Sequence, residues 1–255
     1  MPIPLPAPEP HPAASPPGSN QHSAHSPDPG LRLPDDRRIT GLPALQVHWR
    51  ADDLQRLHAF RPTHLLYLHG FRSSPQSAKA RCMADWVARH QPGLHWHCPA
   101  LPASPAQAMA HLADWLQTVP PGRCALMGSS LGGFYADWLA RRYDLPAVLI
   151  NPAVSPARDL AAHIGVHPAW HDPQQRLHFE AAHVAQLQAL QDSRGPCDPP
   201  VLALIARGDE VLDWREMMAR HGQGSHALLE GSDHALREFP LLLPLVRFFL
   251  RLDRP

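Results

Sequence analysis

The sequence predicts an α/β protein built on a mostly parallel, doubly wound sheet, with a helical insertion after the fourth core strand. Three observations carry that expectation. Apolar runs of four to six residues recur from His64 onward with little internal alternation, as strands buried on both faces require. Amphipathic patterns of ten to sixteen residues lie between them, bounded by capping and stop signals. Short connections join the two kinds of segment, which favours right-handed crossovers and a sheet covered on both sides.

The elements follow in order. Ala51–Phe60 (ADDLQRLHAF) suits a short amphipathic helix, while the rest of 39–60 has no clear placement. His64–Leu68, Leu94–Cys98, Arg123–Met127, Ala147–Ile150, Val201–Ala206 and Ala227–Glu230 are the expected core strands. Ser77–His90 repeats apolar residues at helical spacing and stops before Pro92-Gly93. Ser104-Pro105-Ala106-Gln107 places an N-cap, an N1 proline and a capping-box glutamine ahead of MAHLADWL. Leu131–Tyr143, Trp214–Arg220 and Leu241–Leu252 complete the expected helices. Between Ile150 and Val201 no strand is evident, and Ala157–Ile164 and Phe179–Leu190 are helical in pattern. Segment 152–198 therefore reads as an insertion, either a lid over a site or two surface helices.

Composition separates the chain into two parts. Of 31 prolines among 255 residues, ten fall within the first thirty positions, and that stretch is too poor in apolar surface to offset its ordering entropy. Residues 1–45 are expected to be a Pro-rich disordered extension, and 46–255 one domain whose core starts near residue 62. The alternating prolines could serve as a polyproline ligand, but a passive tail is the expected reading. Lys plus Arg (23) equals Asp plus Glu (23), which argues against nucleic-acid binding through a basic face. The most apolar segment, Phe239–Leu250, is too short to span a bilayer and carries Pro244 and Arg247. The first residues lack a basic region followed by an uninterrupted apolar one, so a soluble, cytoplasmic protein is expected. Cys82, Cys98, Cys124 and Cys197 form no CxxC pair and read as reduced thiols.

Chemistry concentrates at three loops. Gly128-Ser129-Ser130-Leu131-Gly132 is a G-x-S-x-G string for which this composition supplies roughly 0.05 chance matches. It follows an apolar run and opens a helical one, the context of a nucleophile elbow, with Ser130 as the nucleophile. A serine hydroxyl needs a base, and the base an orienting acid. His234, in GSDHA after one strand, is the expected base. Asp209, in GDEVLD after another, is the expected acid. Asp213 and Asp233 are its rivals, although Asp213 heads a helix with a capping-box pattern and Asp233 adjoins His234 in sequence. The N–H groups of Leu131 and Phe71 are expected oxyanion donors. His69 and Gly70 in the same first loop, and Trp170 and Phe179 in the insertion, are candidates for contact with substrate. His95 and His97 share a strand face, but no third ligand follows at zinc-like spacing, so no metal is expected.

The strings LHGFRSSPQSAKA, MGSSLGGFYA, NPAVSP, GDEVLD and GSDHA, in this order, resemble the YqiA-type family of small bacterial α/β-hydrolase esterases. The resemblance covers about residues 64 to 255. It implies an α/β-hydrolase-like fold and a carboxylic-ester or acyl-thioester hydrolase that uses Ser130, Asp209 and His234 with no cofactor. Its partner would be a small acyl ester or thioester, and the oligomeric state stays open. Two features depart from the family pattern: the residues before the core, and Arg72, which could favour an anionic acyl donor but is expected to be a solvated loop arginine. An acyltransferase on the same fold, or a non-catalytic scaffold with a proline-rich arm, are the alternatives.

Overall fold

In the computed structural model the described residues are 42, 44–170, 172, 174 and 176–253. The Pro-rich segment 1–41, expected to be disordered, lies outside them. The central sheet has seven strands: β1 (Leu45–His48), β2 (His64–Leu68), β3 (His95–His97), β4 (Cys124–Ser129), β5 (Ala147–Ile150), β8 (Val201–Ala206) and β9 (Ser225–Leu229). Their spatial order is β1-β9-β8-β5-β4-β2-β3, parallel except for β1, which pairs antiparallel with β9.

Although β4, β5 and β8 are buried along their whole length, the period of two still sorts their side chains into two cores. Leu65, Tyr67, Met127, Val148, Ile150, Leu202 and Leu204 face one side. Helices α2 (Ala78–His90) and α8 (Phe239–Phe249) cover it with Met83, Trp86, Leu242, Leu245 and Phe249. Leu66, Leu68, Leu126, Ala147 and Leu149 face the other, under α3 (Pro105–Gln117), α4 (Leu131–Tyr143) and α6 (Ala181–Asp192). The smaller α7 (Trp214–His221) packs Met217 on Ala203 and Ile205. The result is a helix–sheet–helix sandwich with the mouths of the parallel strands on one rim.

Two expectations need correction. The sheet begins at Leu45, not near residue 62: β1 and the short helix α1 (Ala51–Arg56) occupy the stretch that had no placement, and Leu42 and Leu45 pack on the core. Four residues, LQVH, half-buried in alternation, are too few for a periodic signal. The insertion does contain strands, β6 (Gly165–Pro168) and β7 (Arg176–Phe179), paired antiparallel and preceded by α5 (Pro156–Ala161). GVHP and RLHF are short, His-containing and mostly outside the core, so neither carries the apolar run of a buried strand. The last helix starts at Phe239, before its pattern, and ends at Phe249, where Arg251 (φ 57°) turns the chain left-handed after Leu250.

The N-cap of α3 shows why the insertion sits where it does. Ser104 Oγ accepts the Gln107 N–H, and Gln186 from α6 accepts both the Ser104 hydroxyl and the Ala106 N–H. A side chain of the insertion thus satisfies donors that the helix leaves open. No helix among the described residues is long and apolar enough to cross a membrane.

Candidate active site

At the end of β4 the chain reverses into α4 within one residue. Ser130 sits at φ 57° and ψ −122°, a region that costs of order 1–3 kcal/mol for a residue with a Cβ. Its backbone is held from several sides: its N–H donates to Ile150 O at 2.9 Å, and its carbonyl accepts from Gly133, Ala153 and Phe134. The turn closes only because two neighbours lack side chains. A Cβ on Gly128 would stand 2.1 Å from Gly132 O, and one on Gly132 would stand 2.1 Å from Leu68 O. This strand–turn–helix raises the Ser130 side chain over the rim of the sheet.

Asp209 follows β8 and His234 follows β9. His234 Nδ1 lies 2.7 Å from Asp209 Oδ2, and the Asp209 side chain is fully buried. The other carboxylate oxygen accepts the N–H groups of Val211 and Leu212, each at 2.8 Å, so the acid cannot swing away. The rival carboxylates are engaged elsewhere: Asp213 caps α7 through the Arg215 N–H, and Asp233 pairs with Arg237. Two residues not singled out from the sequence hold the histidine loop. Asn151, wholly buried at φ 41°, donates to the carbonyls of Asp233 and His234 while accepting the Ala206 N–H. Glu210 accepts the His234 N–H at 3.0 Å, which holds its carboxyl below the usual range. Asn151 opens the NPAVSP string, but nothing local marks its side chain as a link between loops.

Ser130 and His234 line one cleft of about 430 Å³, together with His69, Gly70, Phe71, Trp170 and Lys79. Leu131, the first residue of α4, presents an N–H at the helix start, where no partner exists within the helix. Phe71 reaches the cleft from the opposite loop, and a Cβ on Gly70 would come within 3.2 Å of the Ser130 Cβ. His69 is buried, and Leu101 N–H donates to its Nε2 at 3.1 Å while Nδ1 lies 3.0 Å from Gly70 O. Both ring nitrogens therefore help fix the first loop. Phe179 does not line this cleft: it is buried behind Phe71, with ring centroids 5.1 Å apart.

Arg72 is not the solvated loop residue expected. Its Nε donates to Pro168 O, its guanidinium lies 4.0 Å over the Trp170 ring, and its carbonyl accepts the Trp170 N–H. The first loop and the insertion are stapled here, and Trp170, 70% exposed, is held at the cleft mouth by this staple. Stacking also accounts for the paired histidines of β3: His95 lies on His64 and His97 on Trp115. Among the described residues no group of three His, Cys, Asp or Glu side chains is arranged to hold a metal ion.

Comparison with solved structures identifies the fold. Est1E from Butyrivibrio proteoclasticus superposes with a TM-score of 0.56 at 15% identity, over 78% of this chain and 90% of its own. The alpha/beta hydrolase domain-containing protein 10 from mouse gives 0.55 at 15%, over 84% and 96%. A structure titled for the metagenome-derived lipolytic enzymes LipS and LipT gives 0.56 at 19%, over 83% and 98%. The seven-stranded sheet is thus of the α/β-hydrolase fold. Residues 64–250 match the model of the family described as "Uncharacterised protein family (UPF0227)", the YqiA-like group to which the five sequence strings point, and the chain belongs to that family.

Proposed function

We propose that the protein is a serine hydrolase that cleaves a carboxylic ester or acyl thioester of a small molecule through an acyl-enzyme. The observation that carries this reading is the 2.7 Å contact of His234, which lines the cleft with the strained Ser130, to the fully buried side chain of Asp209 behind it. With Nδ1 committed to Asp209, Nε2 of His234 is the nitrogen left for Ser130. Ser130 Oγ attacks the carbonyl carbon as Nε2 takes the hydroxyl proton, and the N–H groups of Leu131 and Phe71 stabilise the oxyanion. The carbon–oxygen or carbon–sulfur bond then breaks, and the leaving group takes the proton from His234. Water repeats the sequence on the acyl-serine: its proton passes to Nε2, the acid departs, and Ser130 recovers its proton. The esterase and lipase neighbours support a hydrolase on this fold.

Ser130→Ala tests the reading. Turnover of para-nitrophenyl butyrate should vanish while the circular-dichroism spectrum and melting temperature stay close to those of the wild type. A fluorophosphonate probe should label the wild type and not the variant. Undiminished hydrolysis by the alanine variant would refute the assignment.

A further inference from the structure

The wall of the cleft built by β2 and the start of α2 carries polar groups that the hydrolytic steps do not use. Ser77 is the N-cap of α2, a helix of 13 residues, yet its side chain makes no capping hydrogen bond, and its hydroxyl is buried without a partner among the described residues. No acidic residue occupies the first turn to offset the positive end of the helix. Tyr67 is fully buried, and its hydroxyl lies near those of Ser77 and Ser129 but completes no hydrogen bond. Hydroxyls paired this imperfectly can still donate to a ligand that reaches them.

Lys79, in the first turn of α2, is the only lysine of the chain. Its ammonium gives one N–H to Ala235 O at 2.6 Å and has no carboxylate within ion-pair distance among the described residues. Of the nearby acids, Asp209 is engaged by His234 and two backbone N–H groups, whereas Asp233 pairs with Arg237 through Oδ2 and keeps a buried Oδ1 without a partner among the described residues. Burial pulls Lys79 down to about 8 against the opposing influence of Asp233 and Asp209. A part-desolvated ammonium with donors to spare, a helix N-terminus and two unpartnered hydroxyls thus meet in one concavity. Each can donate a hydrogen bond to an anion, with the Asp209 and Asp233 carboxylates opposing.

We propose that Tyr67, Ser77 and Lys79 form a subsite for an anionic group, so that the substrate carries an acid function besides its scissile carbonyl. The proposal rests on the hydrolase reading of Ser130 and narrows its substrate class. The charge can sit on the acyl chain or on the leaving group, and the chemistry of recognition is the same for both. The ammonium form exists below about pH 8, so the preference for a charged ester falls as pH rises through that value. Tyr67, His234, Asp209 and Asp233 are the titratable groups facing it.

Two substrate pairs test this on the full-length chain. Mono-para-nitrophenyl glutarate against para-nitrophenyl pentanoate places the acid on the acyl side. Para-butyryloxybenzoate against phenyl butyrate places it on the leaving group. The wild type should favour the charged member of one pair by about tenfold or more in kcat/KM, mainly through KM. Lys79→Met should bring that ratio close to one, Lys79→Arg should retain part of it, and Tyr67→Phe should lower it without lowering the melting temperature. In the Ser130→Ala background, glutarate should raise the melting temperature with Lys79 present and not with Lys79→Met. Absence of preference in both pairs overturns the proposal. So does an equal fall for charged and neutral esters in Lys79→Met, which would leave Lys79 as a support for the Ala235 loop only. Turnover surviving in Ser130→Ala would instead defeat the hydrolase reading, and the glutarate melting shift would still decide the subsite.

Discussion

At the scale of single residues, the aspartates around His234 illustrate how groups that look alike in sequence are given different contacts. Asp209, Asp213 and Asp233 fall within 25 positions, and each has one occupation: orienting His234, capping α7 and pairing with Arg237. Asp209→Asn keeps the shape of the side chain but removes the charge that fixes the imidazole tautomer. On the proposed mechanism the change should lower kcat roughly 10⁴-fold, the loss typical of serine-hydrolase triads. Asp213→Asn keeps a capping oxygen and should alter kcat little. Steady-state kinetics on one chromogenic ester separates the two, and a larger loss at Asp213 would exchange their roles.

At the scale of elements, the edge of the sheet depends on a small buried network. Asp53 in α1 is wholly buried, accepts the Ser225 N–H and hydroxyl from β9, and pairs with Arg50. This carboxylate locks α1 to the strand that β1 extends. Asp53→Ala leaves Ser225 without its acceptor and should cost about 1.5–3 kcal/mol. Urea denaturation measures that loss, while kcat should hold because the network lies far from the rim with Ser130. The insertion is tied down differently, by Gln186 at the α3 cap and by Arg72 against Trp170 and Pro168. These ties run through side chains, and the second holds the cleft mouth beside the Ser130 turn.

At the scale of the whole molecule, stability should depend on pH through a buried cluster between α4 and α7. His221 is pushed from 6.5 down to about 4, chiefly by burial and partly by Arg220, Arg141 and Arg194, with Asp137 opposing. Asp137 itself is held below the carboxylate range despite its burial, by His221 and the arginines around it. Between these values for histidine the unfolded chain binds a proton that the folded protein refuses. Stability is therefore complete above about 6.5 and declines as pH falls toward 4. At about 1.36 kcal/mol per pKa unit, the loss is at most roughly 3 kcal/mol. Urea midpoints measured across that window should show the decline, and His221→Gln should flatten it.

The core strands, the main helices and the tight turn at Ser130 were legible in the chain because each is encoded by neighbours. Apolar runs mark buried strands, spacing marks helices, and a serine between glycines marks a turn that no bulkier sequence closes. The order of Ser130, Asp209 and His234 is equally a property of the string. What only tertiary structure decided are the pairings between distant segments: LQVH as an edge strand on β9, a hairpin within the insertion, Asp209 rather than its rivals against His234, and Lys79 beside two buried hydroxyls. Such contacts depend on which surfaces the two cores leave facing each other, and no window of adjacent residues carries that information.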